Sequence, residues 1–296
     1  MPFHFKKKES VAKAARRLCC ERIDDALENL KGRDRLKSVH EVRKEIKKLR
    51  AILRLVRREI GKNFYRKSND LFREVAVFLT AIRDSHVKLN AFEALTRHFK
   101  RRLPKRPFPK IKKALQNICR AEERKFLKSN SISKVKRLLR KAERQVENLK
   151  IKSDGWAAIR PGLKKSFSRG REACETVLEE SSPENFHEWR KRVKDLWHYL
   201  QLLCPAWSKG LRAAADELQT LGELLGDDHD LVLLKEVVAD ICGKTEGIKL
   251  LNELIESRQK ELRSAALKRG ARFFAEKPPA FCRRFENYWK IWRGEK

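Results

Sequence analysis

Long apolar runs are missing from this sequence: nowhere do 18 apolar residues follow one another, so no segment reads as a membrane span and no membrane insertion is expected. The first eight residues carry three lysines with no apolar stretch behind them, which argues against a secretory signal. A disulfide framework is missing too. The seven cysteines are odd in number, Cys19 and Cys20 are adjacent, and no Cys-x-x-Cys spacing occurs, so reduced thiols in a cytoplasmic protein are expected. Alternating strand-like segments are absent. So are a P-loop, a Gly-rich dinucleotide fingerprint, a nucleophile elbow and an H-E-x-x-H pair, and neither a cofactor nor a metal is expected. Acids are scarce relative to bases: 40 Asp and Glu stand against 72 Lys and Arg, a net charge of +32. Such an excess destabilises the compact state by self-repulsion and favours polyanion binding through counterion release.

What is present is helical. Hydrophobic residues make up 41% of 296 residues and recur at helical spacing almost throughout, which predicts an all-α protein of one or two domains. Breakers at Gly32, Gly61, the Pro104, Pro107 and Pro109 cluster, Gly155, Pro161-Gly162, Pro183, Pro205, Gly226, Gly243 and Pro278-Pro279 divide the chain into about ten helices. Ser182 followed by Pro183 marks a helix start, because the hydroxyl caps free amides and proline needs no N–H at the first position. A helix from Pro183 to Leu203 follows, and Lys100 to Lys113 reads as an exposed basic loop.

The sequence also repeats itself. The run Val39 to Leu49 aligns without gaps on Phe186 to Leu196, 147 residues later, and Ile82 to His86 aligns on Leu225 to His229 at an offset of 143. Two features in the same order predict an internal duplication with halves 1–152 and 153–296. Each half would be a bundle of about four helices related to the other by a pseudo-two-fold axis.

On a helical projection His40, Arg43, Lys47, Arg50 and Arg54 fall in one stripe about 80° wide, with Lys44 on its flank and Lys48 beside it. Val42, Ile46, Leu49, Leu53, Val56 and Ile60 take the opposite, buried side. In the second copy His187, Arg190, Lys191, Lys194 and His198 form the corresponding row while Trp189, Val193, Leu196 and Leu200 are buried. A merely solvated face mixes acids with bases to gain i,i+4 pairs, and neither stripe contains an acid. The first row runs about 21 Å at 1.5 Å per residue, too long for one phosphate and suited to an extended anion. His40 and His187 are expected in the first turns of their helices, where the dipole disfavours protonation. Reversing charge at Arg43, Lys47 and Arg50 together is expected to abolish binding.

The pattern His40, Arg43, Lys47, Lys48, Leu49, Arg50, repeated in part as His187, Arg190, Lys191, Val193, Lys194, Leu196, resembles the CHAD family, α-helical domains named for their histidines. Gly162-Leu163 with Arg169-Gly170-Arg171, and Leu221 to Gly226-Asp227, are similar to further family signatures. The resemblance implies two helical bundles enclosing a basic groove or pore and non-catalytic binding of inorganic polyphosphate. It also implies association with polyphosphate granules, in a form that stands without the β-barrel partner domain. It adds Arg169 and Arg171 to the candidate contacts. Asp195 and Trp197 replace basic positions in the second copy.

Three other readings compete. A metal-dependent HD-type phosphohydrolase is suggested by His198, His229-Asp230 and Asp240. The bland account there is that Gly226 ends one helix and Asp227 or Asp228 caps the next. Non-specific RNA or DNA binding fits the charge, but the first stripe lacks the aromatic platforms that stack bases, and only Trp197 borders the second. A scaffold for an acidic protein is the third.

Overall fold

The computed structural model describes residues 3–105, 108–242 and 246–295, and places them in twelve α-helices and one short 3-10 helix, with no strand among the described residues. The all-α expectation is met. The first seven helices are α1 (Val11–Asn29), α2 (Arg35–Leu55), α3 (Arg57–Ile60), α4 (Lys62–Phe78), α5 (Thr80–His98), α6 (Pro109–Lys128) and α7 (Ser131–Glu147). Five more follow: α8 (Gly155–Glu179), α9 (Pro183–Leu203), α10 (Ser208–Cys242), α11 (Glu246–Phe273) and α12 (Pro278–Arg293), with the 3-10 turn Cys204–Ala206 between α9 and α10.

Caps explain several of these starts. The Asp34 carboxylate accepts from the Lys37 amide at 3.0 Å ahead of α2, and the Ser182 hydroxyl accepts from the Asn185 amide at 3.2 Å ahead of α9. Pro183 opens α9 as its sequence suggests. Gly61, at φ 78°, makes the turn from α3 into α4.

Other breakers do not break. α8 runs through Pro161 and Gly162, because its packing against α2, α9 and α12 outweighs one missing backbone bond. Gly162 is there for proximity: a Cβ on it would lie 1.9 Å from the Leu55 carbonyl oxygen, so only glycine lets α8 approach the end of α2. Gly226 likewise lies inside the unbroken α10, and Asp227 and Asp228 cap nothing. The basic loop is shorter than expected, since α6 begins at Pro109. Pro107 and Gly243 lie outside the described residues.

Two apolar clusters hold the helices together. The larger contains Ile46 and Leu49 of α2 with Trp189 and Leu196 of α9; the smaller contains Phe92 and Leu115 with Leu234 and Leu251. Both draw on residues from either side of position 152. Cys19, Cys119, Cys174 and Cys282 are buried free thiols, and Cys20 and Cys204 are partly exposed ones. No helix among the described residues is long and apolar enough to cross a membrane.

Candidate anion-binding site

The buried sides of α2 and α9 fix the direction of their charged sides. Val42, Leu49 and Leu53 of α2 and Trp189, Val193, Leu196 and Leu200 of α9 have no exposed surface, so neither helix can rotate without exposing its apolar stripe. With those stripes packed, the two helices meet and their cations line one cavity of about 1220 Å³. His40, Arg43, Lys44, Lys47 and Lys48 reach it from α2, and Arg190, Lys194 and His198 from α9. In all, ten Lys and Arg line the cavity against three carboxylates, Glu223, Asp227 and Asp230.

Several expected residues are elsewhere. Arg50 donates to the Asn69 side-chain oxygen at 3.0 Å and does not line the cavity, and Arg54 pairs with Asp195. The expected row therefore faces the cavity only from His40 to Lys48, about 12 Å rather than about 21 Å, because the stripe leaves the cavity where α2 meets α8 and α9, and Lys37 extends the cationic lining of α2 to about 17 Å. Arg169 lines a different cavity, and Arg171 pairs with Glu175 at 2.9 Å on the surface of α8. Lys191 pairs with Glu188 at 3.0 Å, and the His187 ring stacks on His229 at 3.9 Å between centroids; neither lines the cavity. The Asp195 departure has a structural role: it joins α9 to Arg54 of α2.

Sequence reasoning missed Lys37 at the start of α2, Arg83 and Arg97 of α5 and Arg258 of α11, all on the cavity wall. Arg83 was within reach, since it falls in the second repeated block at the position aligned with Gly226. Arg97 and Arg258 carry no motif.

Glycines on α10 shape the α9 row. A Cβ at Gly226 would meet the Arg190 guanidinium at 3.1 Å, and one at Gly222 would meet the Lys194 chain at 2.9 Å. The two cations lie across these glycines, one helical turn apart on both helices. Arg43, by contrast, donates to the Ala76 carbonyl at 3.0 Å and the Thr80 hydroxyl at 3.2 Å, which anchors it on the junction of α4 and α5.

Crowding of like charge shows in the protonation equilibria. Burial, then Arg190, Arg83, Arg43 and Lys194, pulls the Lys47 ammonium down to about 7. Lys47 still keeps exposed surface, because the cavity around it admits water, and that water screens its neighbours. Burial and then Arg190 also lower Lys194, although Glu223 opposes them. His40 and His187 sit in the second turns of their helices, one turn later than expected, and both are lowered chiefly by burial rather than by the helix dipole. Burial takes His198 to about 3 and His229 to about 4, so both are neutral at physiological pH.

A metal centre is not assembled among the described residues: no group of three or more His, Cys, Asp or Glu side chains is placed to hold an ion. His198 is enclosed, His229 stacks on His187, and Asp230 faces Arg83 and Arg190.

The family model of the CHAD domain matches residues 14–239, which takes in α2, α9 and most of α10. The chain belongs to the CHAD domain family. Its CHAD domain is similar in fold to PptA from Streptomyces chartreusis, with 13% identity, a TM-score of 0.64, and coverage of 88% of this chain and 98% of that one. It is also similar to the CHAD domain from the plant Ricinus communis, with 16% identity, a TM-score of 0.64, and coverage of 94% and 96%. No curated protein matches. At these identities the likeness carries the CHAD fold, and the site rests on the residues of this chain.

Proposed function

We propose that this protein is a non-catalytic binder of a long polyanion, and that inorganic polyphosphate is the ligand held in the cavity between α2 and α9. The observation that carries the proposal is the meeting of two cationic rows, 147 residues apart in sequence, on one cavity where ten Lys and Arg face three carboxylates. Each row supplies charge-assisted donors to phosphate oxygens, and the arginines offer paired donors. The family's link to polyphosphate supports the same reading.

One detail favours a ligand without bases. Trp197 is the aromatic residue of the α9 row that lines the cavity, and the Lys194 ammonium sits over its ring at 4.5 Å from the centroid. The face a nucleobase needs for stacking is thereby covered. Retention in the cytoplasm on polyphosphate granules belongs to the same proposal, and colocalisation of the tagged protein with those granules tests it.

The deciding experiment is competition between long-chain polyphosphate and single-stranded RNA of equal charge near physiological salt. Polyphosphate is expected to displace RNA; preference for RNA overturns the ligand assignment. Metal-dependent phosphate release that disappears in His229→Ala would instead restore the phosphohydrolase reading.

A further inference from the structure

A second cavity, of about 440 Å³, lies on the other side of the α2 and α9 contact, where α3, the start of α4 and α8 close around it. The two cavities share no lining residue. The faces of α9 explain why: Arg190, Lys194 and His198 look into the first cavity, while Arg192, Asp195 and Tyr199 project about 130° round the helix into the second. A chain lying along the first row does not meet these groups.

Seven Lys and Arg line this smaller cavity against a single carboxylate, Asp195, and that carboxylate is already paired with Arg54. Arg58, Lys62, Lys165 and Arg169 make no ion pair with any described residue. Most of the positive charge is thus concentrated in a space of small-molecule size without a protein counter-charge, since of the seven cations only Arg54 and Arg192 have carboxylate partners. An independent observation points the same way. The hydroxyls of Tyr199 and Ser166 belong to buried residues on this wall, and neither has a hydrogen-bond partner in the protein. A buried hydroxyl left unmatched is destabilising, and a ligand oxygen admitted by a small shift of this wall completes it.

We propose that this cavity is a separate site for a compact, multiply charged phosphate compound of pyrophosphate to tripolyphosphate size. Arg58 and Arg169 pair with its oxygens, and the Tyr199 hydroxyl donates to one of them. The site stands independently of the polyphosphate reading of the larger cavity. The same phosphate chemistry has two sources, a free small molecule or the terminal units of a long chain, and we assign the free molecule because no wall residue is shared.

Calorimetric titration of the full chain with tripolyphosphate tests the assignment. The double variant Lys47→Glu with Lys194→Glu, which alters only the larger cavity, is expected to keep one tripolyphosphate site. Adding Arg58→Ala and Arg169→Ala to it is expected to weaken that site more than tenfold. Tyr199→Phe preserves shape and is expected to weaken tripolyphosphate about tenfold while leaving the melting temperature of the free protein unchanged or raised. Loss of all tripolyphosphate binding in the Lys47 and Lys194 variant overturns the site, as does unchanged affinity in Tyr199→Phe. Long-chain polyphosphate is the second arm. With Arg58→Ala and Arg169→Ala in the otherwise native chain, its affinity is expected within about twofold of the native protein. A tenfold fall there overturns the assignment to a free molecule in favour of a chain end.

Discussion

The rows on α2 and α9 begin from the same residue types and end in different settings. On α2, Lys44 and Lys47 extend into the cavity with exposed surface, whereas Arg190 and Lys194 of α9 are partly buried along α10. At the far ends they diverge further. Arg54 of α2 and Asp195 of α9 turn to each other and form a pair at the second cavity. A repeated motif therefore fixes where charge emerges from the core, while the neighbouring helix decides whether that charge is free, screened or paired.

The largest expected effect comes from breaking both rows at once. Lys47→Glu with Lys194→Glu should weaken long-chain polyphosphate by more than about a thousandfold, roughly 4 kcal/mol, and leave the helical circular dichroism unchanged. The replacement of Arg50 in the triple variant envisaged from sequence is expected to add little to loss of binding, since Arg50 faces Asn69 rather than the cavity. A full effect from Arg50→Glu alone would break the division between the two cavities.

Acid should separate the two regions by stability. His198 and His229 have folded pKa values near 3 and 4, below the unfolded value of about 6.5. Between those limits the unfolded chain binds more protons, so stability is full above about pH 6.5 and falls as pH drops toward 3. For the enclosed His198 the loss approaches about 4 kcal/mol, and His198→Gln should flatten the dependence of urea unfolding on pH.

Next in size is the cross-helix pair. Arg54→Ala leaves the Asp195 carboxylate only its longer contact to Arg192, at 3.8 Å, and should lower unfolding free energy by about 2 kcal/mol at neutral pH, the partial wetting of the pair and the remaining cation keeping it below the usual range for buried pairs. Burial already raises Asp195, so the deficit should shrink in acid as that carboxyl takes up a proton. The smallest effect sharpens the comparison most. Because Lys47 titrates near 7 in the free protein, a phosphate chain that favours its charged form should draw up to one proton per site at pH 7.5, seen as a buffer-dependent enthalpy. Affinity should fall as pH rises through this range, and Lys47→Met should abolish the uptake.

The all-helical class, the α9 boundaries and the apolar stripes of α2 and α9 were legible because periodicity and caps are local signals. Eight of the expected contacts meet in the larger cavity for the same reason: the buried stripe orients the opposite face. Arg97 and Arg258 were not legible, since they reach the cavity through the packing of α5 and α11, which no spacing encodes. Gly162 and Gly226 were misread as breaks because a glycine kept for close approach looks, in sequence, like a glycine kept for a turn. His187 was misplaced because its stacking partner His229 lies on another helix.

The notches at Gly222 and Gly226 bear on how the two rows grip. Arg190 and Lys194 lie in them before any anion arrives, so little rotamer entropy remains to be lost when phosphate docks. On α2, Lys47 has no such cradle and adjusts to whatever length of chain is presented, while Lys44 is held only by Glu41 of its own helix, at 2.9 Å. The α9 side of the cavity is thus a fixed jaw, and Lys47 is the compliant contact on the α2 side, between the anchored Arg43 and the Lys48 paired with Glu45, an arrangement suited to a ligand whose subunits are identical but whose register is not.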